Sequence, residues 1–132
     1  MTGAGCAEPS GSYGDYVAKA QQTARQMASA ITTAQLAAHE LLHGNATLAY
    51  TDVMVTDAER DADSVQTTFD SRQPPDQRSS DLKDQVDQPL QNATSSLTDL
   101  RIAVRRDDAH DIRQALDDLD APLKKFQKLG GS

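Results

Sequence analysis

One short motif in this sequence has the residue types and spacing of a zinc protease: His39-Glu40-Leu41-Leu42-His43. Two histidines four residues apart share one face of an α-helix, where both can bind zinc, and a glutamate beside them can act as general base. The rest of the sequence departs from that class, because it has no recognisable strand to hold a substrate and no family signature for a third ligand after His43. We therefore predict that the protein is not an enzyme.

The helix that carries the motif is predicted to turn both histidines towards solvent. Ala38 and Leu41 continue an apolar stripe and are expected to face inward. Since successive helical residues are about 100° apart, His39 and His43 then point about 130° and 170° away from the core. This orientation is a geometric objection to the protease hypothesis.

A weaker hypothesis is metal binding without hydrolysis. In an up-down-up-down bundle the first helix ends, and the fourth begins, at the same end, so His39, His43 and His110 are all expected there. Imidazoles at this spacing suit zinc, copper or nickel, and Glu40 or Asp108 can add an oxygen ligand. The alternative is that three surface histidines share this end without converging. No other cofactor is expected.

The charge balance is acidic, with 20 acidic and 13 basic residues and a formal net charge of −7. No basic stripe is available to neutralise phosphates, so nucleic acid is not an expected partner. Paired carboxylates such as Asp57 with Asp61 are typical of an acidic helix surface, and nothing in the sequence would desolvate one of them selectively. The sequence also lacks a Gly-framed nucleophile turn, so nucleophilic catalysis has no support.

The histidine motif lies at the end of the first of four predicted helices. Apolar or small residues recur in alternating steps of four and three, which is the spacing of a helical stripe that neighbouring helices must cover. The stripe consists of Tyr13, Val17, Ala20, Ala24, Met27, Ile31, Ala34, Ala38 and Leu41. We predict that this helix starts near residues 12–15 and runs to His43, because Gly44 can adopt the left-handed conformation that ends a helix.

The second and third helices are predicted from the same periodicity and from their boundaries. Helix 2 should begin at residues 45–47 and end before residues 71–76, where paired prolines exclude a helix. Helix 3 should start near residues 79–80. Pro89 lies inside helix 3, so we expect a kink near it or a helix that restarts there.

The boundary between helices 3 and 4 depends on residues 105–108, which contain no Gly or Pro. Continuing the helix 3 stripe beyond Val104 would bury two aspartates, whereas a restart at Ala109 gives an apolar stripe that ends at Phe126. Basic residues before this turn and acidic residues after it also suit the two helix dipoles. We therefore predict a turn, with a merged three-helix arrangement as the alternative.

These elements predict an all-α protein, an up-down-up-down four-helix bundle over residues 15–132 that follows a disordered tether over residues 1–14. The tether is small and polar, and it contains Pro9, Gly11 and Gly14. The predicted core includes large apolar residues from all four helices: Ile31, Leu41, Val65, Phe69, Leu97, Leu100, Leu116 and Leu123.

The single cysteine, Cys6, has small neighbours in Gly3-Ala4-Gly5-Cys6-Ala7. This segment resembles the cleavage site of bacterial lipoproteins, in which a lipid is attached to the cysteine. The resemblance implies export and a lipid anchor at Cys6, although Gly3 stands where that family usually has Leu and no hydrophobic signal segment comes before it. The alternative is an ordinary cysteine in the tail of a cytoplasmic protein.

Three further segments, 52–70, 73–76 and 99–106, resemble parts of small exported helical proteins of high-GC Gram-positive bacteria. The resemblance covers about half of the chain and implies a helical fold and an extracytoplasmic location, with no activity or functional residue to carry over. Together with the lack of a catalytic set, it leads us to predict a non-enzymatic binding module for a protein or envelope component, joined to the membrane only through Cys6.

The predicted binding surface lies at the start of helix 2. Tyr50, Val53 and Met54 widen its apolar face beyond what one stripe requires. The alternative is that these side chains pack against a neighbouring helix.

Overall fold

A computed structural model describes residues 12–131 and confirms the all-α class. The helices are α1 (Tyr13–Leu42), α2 (Leu48–Asp70), α3 (Gln77–Arg105) and α4 (Ala109–Leu129), and the described residues contain no strand. Within residues 12–131, none of the helices is both long and apolar enough to cross a membrane. Cys6 and the first part of the predicted tether lie outside the described residues.

The four helices pack as an up-down-up-down bundle in which α1 and α3, the two longest, form the central pair. Helix α1 contacts all three other helices, and α3 contacts both α2 and α4. No Cα atom of α2 lies within 8 Å of one in α4. The bundle is therefore built around the α1–α3 diagonal, with α2 and α4 on opposite sides of it.

Each helix begins at a side-chain oxygen that accepts a hydrogen bond from a backbone N–H in the first turn, which satisfies one of the unpaired donors there. The four capping residues are Ser12, Thr47, Asp76 and Asp108. The predicted start of α3 was wrong, because the cap at Asp76 starts this helix at Gln77, earlier than residues 79–80. The cap at Ser12 starts α1 at Tyr13, within the predicted residues 12–15, so residues 13–14 belong to α1 and not to the tether.

The turns after α1 and α3 use the same backbone device, with a residue in the left-handed region just after the helix. Gly44 has φ +78°, as predicted, and the N–H of Asn45 donates to the carbonyl of Glu40 at 2.8 Å. At the second turn Asp107 has φ +52°, and the N–H of Asp108 donates to the carbonyl of Ala103 at 3.1 Å. The predicted turn at residues 105–108 is thus confirmed. Asp107 can form it because Asp tolerates the left-handed conformation better than most residues do.

The core lies between the four helices and follows the predicted stripes. Ile31, Phe69, Leu97, Leu100 and Leu116 are buried, whereas Leu41, Val65 and Leu123 are only partly buried against the core. In the first turn of α1, Tyr16 is buried in place of Tyr13 and Val17, which are half-buried.

Pro89 does not divide α3, which runs without interruption from Gln77 to Arg105. Of the two outcomes predicted at Pro89, a kink or a restart of the helix, the restart was wrong. Pro89 is buried, as is Pro122 in α4, so their rings contribute to packing at positions where each removes one backbone hydrogen bond. Tertiary packing therefore outweighs the local preference of proline in both helices.

A polar seam joins α2 to α3. Glu59 accepts hydrogen bonds from the Thr98 hydroxyl at 2.6 Å and from Nε of Arg101 at 2.7 Å. One end of the seam is closed by Arg105, whose Nε donates to Asp52 at 2.9 Å. The two contacts of Glu59 are partly buried and that of Arg105 is exposed. All three support one register of α2 against α3, since charge-assisted hydrogen bonds are directional.

Candidate functional site

The two histidines of the zinc-protease motif lie next to each other on the outside of the bundle. His39 is in the last turn of α1 and His43 is its C-terminal cap, and both are exposed. Their ring centroids are 6.4 Å apart and the rings are within 22° of parallel. The outward direction predicted from the stripe agrees with this exposure.

His110 does not join these two residues. Its Nδ1 is 3.3 Å from Oδ1 of Asp111, and together with Asp108 these side chains form a trio whose ligand atoms lie within 4.8 Å of one another. Among residues 12–131 no other trio of His, Cys, Asp and Glu is as close, so the three histidines do not assemble into one site. Asp108 also caps α4 by accepting the N–H of Asp111, which gives this exposed cluster a structural role.

A different surface carries the most exposed apolar side chains. Among residues 12–131 five large hydrophobic side chains are exposed, and four of them lie in the last two turns of α1 or the first two turns of α2. Leu36 is 63% exposed, Tyr50 56% and Val53 57%. We call Leu36, Tyr50, Val53 and the half-buried Met54 the apolar corner.

The apolar corner opens into a groove between α1 and α2. A cavity of about 320 Å³ lies between Leu36 and Tyr50, and it continues into a second one of about 490 Å³ with which it shares Thr33 and Met54. A third, of about 270 Å³, shares Val65 with the second and extends towards the far end of α2. In this order the three cavities form the upper, middle and lower parts of what we call the α1–α2 groove.

Small residues line much of the α1–α2 groove. Ala37 lines its upper part, beside the apolar corner, and Ala30, Ala58 and Ser29 line its middle part. Side chains of this size leave space above the helix pair that larger residues would fill. The groove therefore results from the alanine-rich composition of α1 and α2.

Charge along the α1–α2 groove changes sign from one end to the other. Glu40, Asp57 and Asp61 line the upper and middle parts. Lys19 and Arg72 line the lower part, which has no acidic residue in its lining. Neither of these cations forms an ion pair within 4.0 Å in the part of the chain that the structure describes.

A second groove, of about 380 Å³, lies between α3 and α4. Asp99, Arg106, Asp111 and Asp118 line it, and Ile102, which is 37% exposed, is its large apolar residue. Four of its eight lining residues are charged. It lacks the cluster of exposed large hydrophobic residues that marks the apolar corner.

One buried group at the opposite end of the bundle has an unusual environment. Tyr16 is 1% exposed and its ring packs against Phe69 at 5.6 Å, but its hydroxyl has no hydrogen-bond partner among residues 12–131. Burial raises the pKa of the Tyr16 phenol above 10.0, and the nearby carboxylates of Asp87 and Asp70 act in the same direction, against the opposing charge of Lys83.

Lys83 connects the same region to both carboxylates. Its Nζ is 2.9 Å from Asp87 and 3.5 Å from Asp70, and it lies 5.6 Å from the centroid of the Phe69 ring. Burial lowers the pKa of Lys83, but the hydrogen bond to Asp87 and the two negative charges outweigh burial and leave it raised. This network is accounted for by helix packing.

Sequence reasoning found three of the four residues of the apolar corner and missed Leu36. Tyr50, Val53 and Met54 were predicted to widen the apolar face of α2, and two of them are exposed. The signal for Leu36 was available, because it is a large apolar residue outside the stripe that passes through Ala34 and Ala38. The groove itself depends on how closely α1 and α2 pack, which no single stretch of sequence specifies.

No protein-family model, curated protein or solved structure gives a significant match to this chain. The class that the fold defines is an all-α four-helix bundle. What the protein does has to be argued from its surface.

Proposed function

We propose that the protein is a non-enzymatic interaction module that binds another protein through the apolar corner. The observation that carries this proposal is that exposed Leu36 and Tyr50 face each other across the mouth of the α1–α2 groove, with exposed Val53 about one turn further along α2 from Tyr50. Contiguous exposed apolar side chains beside a groove are typical of protein-binding surfaces, and Tyr is enriched in their centres.

An enzymatic role has less support from the same surface. His39 and His43 are both exposed, and no third metal-ligating side chain joins them among residues 12–131. Glu40, the general base of the protease hypothesis, lines the groove beside Leu36. Incubating the zinc-loaded protein with casein tests this, and cleavage that Glu40→Gln abolishes would replace the proposal with a metalloprotease.

We also propose that the protein acts outside the cytoplasm and is held at the membrane by a lipid on Cys6. The support is the lipoprotein-like segment around Cys6 and the resemblance to exported helical proteins. In cell fractionation the protein should sediment with membranes and Cys6→Ala should move it to the soluble fraction. If the wild type and Cys6→Ala were both found in the soluble fraction, the cytoplasmic alternative would be favoured.

The binding proposal is tested by affinity capture from envelope extracts with three matched baits. Tyr50→Asp places a charge in the apolar corner, and Ile102→Asp makes the same kind of change at an exposed residue on α3. Proteins captured by the wild type should be lost with Tyr50→Asp and kept with Ile102→Asp. Identical protein lists from all three baits would exclude the apolar corner as the binding surface.

A second candidate function is transition-metal binding at His39 and His43 alone. The observation that favours it is the nearly parallel arrangement of the two exposed imidazoles, 6.4 Å apart at their centroids. Histidines at this helical spacing chelate copper, nickel and zinc. His110 has no part in this site, because it belongs to the cluster at the start of α4.

A further inference from the structure

We infer that the occupant of the α1–α2 groove is one amphipathic α-helix of a partner protein, laid along the groove with its basic half beside Asp57 and Asp61 and its acidic half beside Lys19 and Arg72. This inference rests on the proposed function, since it names the kind of partner that the apolar corner would bind.

The length of the groove suits a single helix. Its lining residues on α1 extend from Lys19 to Glu40. At about 1.5 Å per residue this distance is roughly 30 Å, which a helix of about 20 residues spans. A flat globular surface would touch the apolar corner but would leave the concave floor of the groove unfilled. An extended chain would find no strand edge among the described residues with which to pair its backbone donors and acceptors.

The depth of the groove also suits a helix. Ala30, Ala37 and Ala58 allow close approach, since the distance between packed helices, about 8 to 10 Å, depends on side-chain size at the contact. Leu36 and Tyr50 stand at the upper end, where they can cover the apolar side of a bound helix. An apolar face with anchors about one turn apart is the usual form of helix-in-groove recognition.

The charges set the orientation of the helix. The middle of the groove carries Asp57 and Asp61, and the only ion pair of Asp57 among residues 12–131 is a long, exposed one to Arg60 at 3.7 Å. The lower part carries Lys19 and Arg72, which have no ion-pair partner in the same range. A helix with basic residues at one end and acidic residues at the other complements both halves.

A second copy of this chain is the competing occupant. Its own groove is concave and would leave a gap against the first, and each copy carries a net charge of −7, which opposes association. These two facts favour a separate partner helix over self-association. The oligomeric state of the protein alone therefore enters the test.

The probe is a designed helical peptide of about 20 residues with Leu and Ala on one face, Lys flanking that face in one half and Glu in the other. Binding is measured by fluorescence anisotropy at about 0.01 M ionic strength, where surface charges are least screened. We expect Asp57→Lys combined with Asp61→Lys to weaken binding about tenfold, on the order of 1.4 kcal/mol. The control is Asp117→Lys combined with Asp118→Lys, which makes the same charge change on α4 and should leave binding unchanged.

Orientation is read with a paramagnetic label on either end of the peptide. A label on the basic end should broaden backbone amide signals near Tyr50, at the upper end of the groove, and one on the acidic end should broaden those near Arg72. The opposite pattern, or equal broadening from both labels, would overturn the inferred orientation, while capture of protein by the apolar corner would still stand. Binding that is insensitive to Tyr50→Asp, or absent altogether, would overturn the helix inference.

The self-association outcome is separate. Sedimentation of the protein alone at micromolar concentration should give a monomer. A dimer that Tyr50→Asp dissociates would make the second copy the occupant and would overturn the inference. The capture experiment uses envelope proteins, whereas the peptide experiment uses a designed helix. A peptide that fails to bind would therefore overturn the helix inference without removing the proposed function, which the capture experiment tests separately.

Discussion

Replacing Tyr16 with Phe should make the protein more stable. The side chain is 1% exposed and its hydroxyl has no hydrogen-bond partner within residues 12–131. A buried polar group without a partner costs about 1 to 3 kcal/mol, whereas the ring itself contributes favourable packing. Tyr16→Phe keeps the ring against Phe69, at a centroid distance of 5.6 Å, and removes only the hydroxyl. We therefore expect stabilisation of about 1 kcal/mol at neutral pH.

The same substitution should change how stability depends on pH. The pKa of Tyr16 is raised in the folded protein by burial, so above pH 10.0 the unfolded state loses this proton before the folded state does. The contribution of Tyr16 is thus fully present below its unfolded pKa and is lost as the pH rises towards its folded pKa. Tyr16→Phe lacks that loss, so its free energy of unfolding relative to that of the wild type should increase above pH 10, by at most about 1.4 kcal/mol per pH unit.

Urea unfolding followed by circular dichroism at neutral pH and above pH 10 measures both effects. Tyr50→Phe is the matched control, because Tyr50 is 56% exposed and should change stability by under about 0.5 kcal/mol. A loss of 1 kcal/mol or more in Tyr16→Phe, measured by the same method, would show that the hydroxyl is hydrogen-bonded and would refute this reasoning.

Three further perturbations test the fold and the second candidate function. Ile31→Ala should lower the free energy of unfolding in urea by about 2 to 5 kcal/mol, since Ile31 is fully buried. Leu36→Ala, in the same helix but 63% exposed, should lower it by under about 0.5 kcal/mol. Equal losses in the two variants would contradict the core assignment. Glu59→Ala should cost about 1 to 3 kcal/mol, because it removes two charge-assisted hydrogen bonds between α2 and α3, and no loss would remove that seam from the account. In calorimetric titration with copper, His39→Ala should abolish binding and His110→Ala should not affect it, whereas sensitivity to His110→Ala would restore a three-histidine site.

Much of the fold could be predicted because its signals are local. Gly44 ended α1 with a positive φ, paired prolines separated α2 from α3, and the stripe restarted at α4 where the structure has its turn. The turn between α3 and α4 has no Gly or Pro to mark it in the sequence, and Asp107 shows why. It adopts the left-handed conformation at φ +52° that Gly usually supplies, and only the change of stripe phase revealed it.

What could not be predicted depends on contacts between helices. Tyr16 replaces Tyr13 and Val17 in the core because Phe69, from α2, packs against its ring. Pro89 stays within a continuous α3 because it is buried, which a local rule against helical proline does not include. Spacing of elements around a bundle brought His110 to the correct end in the prediction, but it could not show that His110 lies beside Asp111 and Asp108 and apart from His39 and His43.

The proposal that the apolar corner meets a partner is tested most directly by photo-cross-linking in intact cells, with benzoylphenylalanine placed at Tyr50 and, as the control on α3, at Ile102. We predict a specific cross-linked partner from position 50 that is absent from position 102. Cross-links to the same protein from both positions, or from position 102 alone, would contradict it.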